Sequence, residues 1–297
     1  MLLDNFLAPL SDLPDALTLF GVFILSACIG SFLTIVIYRL PTVLIHHWQS
    51  EARYLLATDH QHNDKPFNLL MSRPHCCRCQ HPLGVLENIP ILSYAIQGGK
   101  CRHCRAPISP FDPMIELICA VLGVVIVSHF GITAQSVWGC CFVFVLITLA
   151  GIDAKSQLLP DALTLPLMWL GIILGFWSVF IPLTLAVAGA IIGYLSLWFV
   201  ANVFKLITKK DGMGLGDAKL LAAIFTWLPI DYFPIVLLIA SVSGIIFSII
   251  QLFFKGQSML NRSIPFGPHL ALGAVISLLY GQAIEAWYLS LLYQQTT

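Results

Sequence analysis

Charged residues are scarce in this chain of 297 residues: lysine, arginine, aspartate and glutamate make up only 10% of it, whereas hydrophobic residues make up 58%. Soluble globular domains carry about 25% charged residues, so the composition excludes that class. The basic region of a cleavable signal peptide is also missing, because only acidic charges precede the first apolar run. The sequence therefore predicts a membrane protein with many spans and an uncleaved N-terminal anchor.

Long uncharged runs are what the sequence has instead. A helix needs about 20 apolar residues to cross a hydrocarbon core of ~30 Å. Runs that meet or approach this length cover residues 16–38, 117–132, 136–152, 162–204, 233–254 and 264–284, and a shorter run covers 220–230. The run over 162–204 is too long for one span and must turn, most simply near 180–182. The predicted fold is an all-α polytopic membrane protein with about eight transmembrane helices.

The basic residues sort to one side of the membrane when these spans are threaded through it. All 15 lysines and arginines fall on that side, and the opposite side receives none. By the positive-inside rule the basic side is cytoplasmic. This predicts an N-terminus outside the cytoplasm, a first span within residues 1–41, a cytoplasmic cysteine-rich loop over 42–111 and a membrane-embedded core over 112–297.

The loop over 42–111 carries two cysteine pairs with the spacing of a metal site. Cys76 and Cys79 form one C-x-x-C unit, Cys101 and Cys104 form the other, and 21 residues separate the two units. Four thiolates satisfy Zn²⁺ in a closed tetrahedral site that stabilises a subdomain too small for its own core. The pattern favours structural zinc over free thiols, and over disulfides in a reducing cytosol. Cys77 is a competing ligand beside Cys76.

Two aspartates lie where an apolar run meets polar sequence. Asp153 closes the run over 136–152, and Asp217 follows the glycine-rich stretch that contains Gly214 and Gly216. A carboxylate in a membrane helix costs about 2.5–3.5 kcal/mol at the helix centre, so such a residue is a functional candidate. An acid at a helix C-terminus opposes the helix dipole, so capping does not explain Asp153, whereas Asp217 alone could be an N-cap.

The two aspartates form a carboxylate pair if their helices meet. Such a pair cannot ionise fully with ease, so one member keeps a proton. One carboxylate then activates water while the other protonates the substrate, which is the chemistry of aspartic proteolysis. Two other classes stay open on the residues alone. A proton-coupled transporter would use both acids as relays, and a membrane assembly factor would bind partners through the cysteine loop.

Other polar residues have simpler interpretations. Four histidines are interpreted as solvated loop residues: His46, His47, His60 and His62. Glu116 either interacts with a helix dipole or contributes to the site. Asp161 is interpreted as a helix cap and His269 as a packed or hydrogen-bonded residue.

The motifs, taken in order, resemble the type IV prepilin peptidase family. They are GSFLTIVIYRLP over 30–41, the paired C-x-x-C with ENIPILSY between, APIS followed by Glu116, IDAKSQLLPDALTLP over 152–166, GMGLGDAKLLAA over 212–223 and IPFGPHLALG over 264–273. Members are leader peptidases and N-methyltransferases of pilus and type II secretion systems and belong to the G-x-G-D intramembrane aspartic proteases. The chain departs from the family pattern at Thr34, where asparagine is usual, and at Cys77, where proline is usual.

The resemblance implies roles for particular residues. The implied catalytic residues are Asp153 and Asp217, the active-site loop contains Gly214, Gly216 and Lys219, and the zinc ligands are Cys76, Cys79, Cys101 and Cys104. It also implies cleavage of prepilins and pseudopilins at the cytoplasmic face of a bacterial inner membrane, with the N-terminus periplasmic. The new N-terminal residue is then methylated from S-adenosylmethionine. The expected partners are these substrates and the lipid bilayer, with no nucleic acid. No S-adenosylmethionine motif of Rossmann type is visible, and the cofactor is expected where the cysteine loop meets the cytoplasmic helix ends.

Overall fold

The computed structural model describes residues 15–56, 78–79, 84, 90–209, 214–255 and 264–294. These residues form helices, with one isolated β-bridge between Lys100 and Pro107 and no strand among them. The described helices are α1 (Asp15–Leu55), α2 (Leu92–Ile96), α3 (Phe111–Phe130), α4 (Ala134–Ser156), α5 (Asp161–Gly175), α6 (Leu183–Thr208), α7 (Leu215–Phe225), a 3-10 turn (Ile230–Tyr232), α8 (Phe233–Lys255) and α9 (Gly267–Gln294).

Six of the described helices are long and apolar enough to cross a membrane, namely α1, α3, α4, α6, α8 and α9. The prediction of an all-α protein with several membrane spans is confirmed. The count of eight is not, because α5 and α7 have only 15 and 11 residues and reach about 22 and 16 Å. The predicted turn near 180–182 is present, since α5 ends at Gly175 and α6 begins at Leu183.

The chain divides into two compact units, Met1–Ile132 and Thr133–Thr297. In the first unit, α1 packs along α3. Gly30 permits this contact, because a Cβ there would lie 2.9 Å from Glu116 Cα and 3.0 Å from Cys119 Cβ. Small residues let membrane helices approach in this way. In the first unit the helix that contains the predicted first span thus packs against α3, which lies at the start of the membrane-embedded core predicted over 112–297.

Helix α1 continues past the predicted end of the first span and runs through Pro41 to Leu55. His46 and His47 lie in this extension, so their assignment to a loop was wrong, although both are exposed. His47 Nδ1 lies 3.3 Å from Glu51 Oε1 one turn later. A proline removes one backbone hydrogen bond but leaves the turns beyond it able to form. His60 and His62 lie outside the described residues.

Helix α7 is the buried centre of the second unit. Its side chains from Leu220 to Phe225 are at most 2% exposed. Helix α6 packs against it through Gly189 and Gly193: a Cβ at the first would collide with the carbonyl oxygen of Phe225, and one at the second would lie 2.9 Å from that of Leu221. Small residues four apart allow this close contact. The position of α7 is therefore fixed along its length.

Trp227, which follows α7, joins it to two further helices. Its ring is stacked on Phe142 of α4 with a centroid distance of 5.0 Å. Its Nε1–H donates to the carbonyl oxygen of Leu167 in α5 over 3.0 Å, so the buried indole N–H has the partner it needs. These contacts hold α4, α5 and α7 together at the end of α7 remote from Asp217.

Candidate active site

Asp153 lies in the last turn of α4 and is only 5% exposed. The helix starts with a capping box formed by Thr133 and Ser136 and ends at Gln157, which has a left-handed φ of 54°. A negative charge in the last turn of a helix opposes the dipole of that helix. The carboxylate finds its partner on another helix, because the N–H of Gly267 donates to Asp153 Oδ2 over 2.8 Å.

Gly267 is the first residue of α9, where backbone N–H groups have no partner within their own helix. A Cβ at this position would lie 2.7 Å from Asp153 Oδ2, so the close approach depends on glycine. The start of α9, within the motif IPFGPHLALG over 264–273, therefore lies beside Asp153. His269, two residues later, is bonded through Nδ1 to Ser243 Oγ at 3.0 Å and packs on Phe247, which confirms its interpretation as a packed residue.

Asp217 is the third residue of α7 and is half-buried. The N-cap of this helix is Gly214, so the interpretation of Asp217 as an N-cap was wrong. Gly214 and Gly216 precede it in two different settings. Gly214 is open, since a Cβ there would meet no atom of the described residues nearer than 3.9 Å, whereas a Cβ at Gly216 would lie 3.0 Å from Leu159 Cβ. The turn is thus packed on one side and accessible on the other.

The carboxylates of Asp153 and Asp217 interact electrostatically, one from α4 and the other from α7. The structure therefore brings together the two acids that the sequence singled out. They differ in their surroundings, because Asp153 accepts the Gly267 N–H while no described residue donates a hydrogen bond to the carboxylate of Asp217. Two interacting carboxylates can share one proton, which leaves one group able to accept a proton and one able to donate it.

Lys219 forms an ion pair with Asp161, and its Nζ lies 2.8 and 2.7 Å from the two carboxylate oxygens. The side chains are 33% and 51% exposed. The interpretation of Asp161 as a cap was wrong, because Pro160 occupies the N-cap of α5 and Asp161 is the first helical residue. Sequence reasoning left Lys219 without a partner. The pair ties the start of α5 to the first turns of α7.

A cluster of thiols lies in the first unit. The Sγ atoms of Cys79, Cys101 and Cys104 all lie within 4.8 Å of one another. Thiolates on one zinc, each bound at about 2.3 Å, would be about 3.8 Å apart, so a small contraction would let these three hold the ion. Cys79 of the first predicted pair therefore lies beside both members of the second pair. Cys76 and Cys77 lie outside the described residues.

Glu116 is buried in α3 of the first unit, 8% exposed. Its Oε2 accepts the N–H of Ile91 over 2.7 Å, and its carboxylate is also hydrogen-bonded by the side chain of Ser31. Ile91 has φ 60° and ψ −47°, an unfavourable backbone conformation for a β-branched residue. Neither of the two interpretations from the sequence describes this arrangement, in which Glu116 fixes the backbone just before α2.

Comparison with known proteins covers most of the chain. The model for the "Bacterial Peptidase A24 N-terminal domain" matches residues 24–130, and that for the "Type IV leader peptidase family" matches residues 140–249. Proteins named "Prepilin leader peptidase/N-methyltransferase" from Aeromonas salmonicida (strain A449), Aeromonas hydrophila and Pseudomonas aeruginosa are 44%, 43% and 41% identical to it. These alignments cover 91%, 91% and 90% of this chain and 93%, 93% and 91% of the relatives.

No solved structure matches the chain. One family model falls within each compact unit, and the curated relatives are similar over nearly their whole length. The resemblance to the type IV prepilin peptidase family, which the ordered motifs indicated, is confirmed. The chain belongs to the type IV leader peptidase family, together with the prepilin leader peptidase/N-methyltransferases.

Proposed function

We propose that this protein is a prepilin leader peptidase and N-methyltransferase of a bacterial inner membrane. It cleaves the leader from type IV prepilins and pseudopilins and then methylates the new N-terminal residue. The observation that carries the peptidase function is the electrostatic interaction between Asp153 and Asp217, which come from two different helices within the region matched by the type IV leader peptidase model. The names of the relatives support both activities.

The peptidase chemistry requires a base for the attacking water and an acid for the substrate. Asp153 and Asp217 supply both when they share one proton. Gly214 is exposed, and a Cβ on it would meet no atom of the described residues nearer than 3.9 Å, which favours contact with an extended substrate chain. Lys219 is held by Asp161, so its proposed role is to fix this turn beside the substrate.

The metal is proposed to be zinc, held by Cys76, Cys79, Cys101 and Cys104. The close approach of three of these thiols supports the assignment, and the fourth follows from the C-x-x-C spacing. Four thiolates leave no coordination position for water, so the role is structural and not catalytic.

Methyl transfer is proposed to belong to the first unit. The peptidase model begins only at residue 140, while a separate model for the N-terminal domain ends at residue 130. S-adenosylmethionine, the methyl donor, is polar and is expected to bind on the water-accessible side. The cysteine loop is the long polar segment of this unit, and it is proposed to contribute to that binding.

The orientation is proposed from charge, with the N-terminus periplasmic and both aspartates at the cytoplasmic face. A reporter fused after Lys65 or after Lys210 is expected to read cytoplasmic, and a reporter at the extreme N-terminus is expected to read periplasmic. A periplasmic reading after Lys210 would contradict the orientation, because it would place Asp217 on the side away from a cytoplasmic leader.

The function is tested by incubating the purified protein with one prepilin and S-adenosylmethionine and weighing the products by mass spectrometry. The expected product lacks the leader and carries one additional methyl group. A proton-coupled transporter, which the comparisons do not support, would leave the prepilin intact. An assembly factor would also leave the prepilin intact, and it would keep its function in assembly in Asp153→Asn with Asp217→Asn.

A further inference from the structure

The two aspartates have unequal surroundings. The carboxylate of Asp153 is buried and accepts the N–H of Gly267 over 2.8 Å. The half-buried carboxylate of Asp217 interacts with Asp153 and receives no hydrogen bond from any described residue. A hydrogen bond from an N–H stabilises the charged form of a carboxylate and is stronger than a bond between neutral groups. The geometry therefore favours the negative charge on Asp153 and the shared proton on Asp217.

Helix dipoles do not account for this difference. Gly267 begins α9, so its positive end faces Asp153, but Asp217 lies in the first turn of α7 and has a positive helix end of its own. Asp153 also lies at the unfavourable end of α4. The direct hydrogen bond from Gly267 is what distinguishes the two carboxylates.

We infer that Gly267 is a positioning residue of the peptidase: its backbone N–H holds Asp153 as the base for the attacking water, while Asp217 donates a proton to the substrate. This inference rests on the proposed peptidase function. As the water oxygen bonds to the carbonyl carbon, Asp153 takes a water proton and Asp217 gives its proton to the carbonyl oxygen. When the C–N bond breaks, Asp153 protonates the leaving amine and Asp217 recovers the proton from the oxygen. The products are a carboxylic acid and an amine, and both aspartates return to their starting states.

Glycine at 267 serves this purpose in two ways. Its N–H has no competing partner within α9 because it belongs to the first helical residue. The missing side chain leaves room for the carboxylate, since a Cβ would lie 2.7 Å from Asp153 Oδ2 and 3.2 Å from Cγ. A larger residue must displace the acid even if the N–H remains.

The most direct test replaces the N–H of residue 267 by oxygen; this change also weakens the Phe266 carbonyl, which accepts the N–H groups of His269 and Leu270. Incorporating glycolic acid at position 267 replaces the backbone amide by an ester in the full-length protein and adds no side chain. The expected result is a fall in kcat for prepilin cleavage of roughly tenfold to a hundredfold, the loss expected for one hydrogen bond to a charged group. KM should stay within about twofold, because Asp153 acts in the chemical step and not in substrate binding.

The variant Gly267→Ala tests the space requirement, with Gly244→Ala as its matched control. A Cβ at Gly244 would make only ordinary contact with the His269 ring, at 3.6 Å. Gly267→Ala is expected to lose kcat at least as strongly as the ester, and Gly244→Ala is expected to keep it. The thermal unfolding midpoint, and methylation of a pilin supplied already cleaved, show whether each variant is folded.

The outcomes separate this inference from the proposed function. If the wild-type protein does not cleave prepilin, the proposed function is wrong. If it cleaves but the ester and Gly267→Ala turn over prepilin at the wild-type rate, the role of Gly267 is wrong while the function stands. A rise in KM with unchanged kcat would also overturn the role in positioning Asp153. So would a loss of both activities accompanied by a fall in the unfolding midpoint.

Discussion

Each compact unit buries a carboxylate that accepts a backbone N–H from a distant part of its own unit. In the first unit Glu116 accepts from Ile91 at 2.7 Å, and in the second Asp153 accepts from Gly267 at 2.8 Å. Each also has a second acid nearby, Asp112 for Glu116 and Asp217 for Asp153. Burial, a backbone donor and a neighbouring acid are thus common to both units.

The difference lies in how the second acid is presented. Asp112 and Glu116 lie four residues apart on the same helix, and Glu116 also takes a hydrogen bond from Ser31. Asp153 and Asp217 come from different helices, and only Asp153 has a donor among the described residues. Burial alone therefore does not mark a catalytic acid. Two carboxylates that meet from separate helices with unequal hydrogen bonding can accept and donate protons in one reaction.

The largest expected effect comes from removing either aspartate of the second unit. Asp153→Asn and Asp217→Asn should each lower kcat/KM for prepilin cleavage by roughly a thousandfold or more, because one remaining carboxylate cannot serve as both acid and base. Cleavage is measured by mass spectrometry on protein that elutes and unfolds like the wild type. Near-normal turnover by either variant would contradict the claim that the aspartates of the second unit, unlike Glu116 of the first, are catalytic.

The next effect concerns the thiol cluster of the first unit. Purified wild-type protein should contain about one zinc per chain, and Cys101→Ser with Cys104→Ser should contain none. The double variant should lose methylation more severely than cleavage, because the metal supports the loop and not the aspartates. Metal analysis and the two product masses provide the measurements. The prediction fails if protein purified without chelator has no metal, or if the double variant loses cleavage alone.

A smaller effect, on stability, is expected at Glu116, the buried acid of the first unit. Glu116→Ala leaves the N–H of Ile91 without its acceptor and should destabilise the protein by about 1–3 kcal/mol. Glu116→Gln keeps an acceptor oxygen and is the matched control, with a smaller loss. The unfolding midpoint in detergent is the measurement. Both variants should retain the cleavage chemistry when folded, and loss of cleavage in folded Glu116→Gln would show that the two buried acids do not differ as described.

The smallest effect is expected for the ion pair beside the peptidase site. Lys219→Met and Asp161→Asn should each change the free energy of unfolding by no more than about 1 kcal/mol, because the pair is partly exposed to solvent. A double-mutant cycle on stability isolates the coupling between the two side chains. A coupling well above this value would mean that the pair contributes more to fixing the turn that carries Asp217 than its exposure to solvent allows.

Many residues of the candidate site were predictable from the sequence, but the contacts between them were not. Asp153 and Asp217 stood out because carboxylates are costly where apolar runs end, and the cysteine pairs had a recognisable spacing. The hydrogen bond from Gly267 to Asp153 joins residues 114 positions apart, and no local pattern encodes such a distance. The partner of Asp161 was also missed, because it depends on a contact made after folding. The extension of α1 to Leu55 was missed because its residues from 45 to 55 are all exposed, so no apolar period marks it as a helix.

The central claim is that peptide hydrolysis depends on the aspartate pair of the second unit and is separable from methylation. The most direct test gives Asp153→Asn protein two substrates in parallel, an intact prepilin and a pilin already cleaved, each with S-adenosylmethionine. Mass spectrometry should show the prepilin at its full length and the cleaved pilin heavier by one methyl group. A prepilin shortened by its leader, or a cleaved pilin that stays unmethylated while the wild-type protein methylates it, would contradict the account.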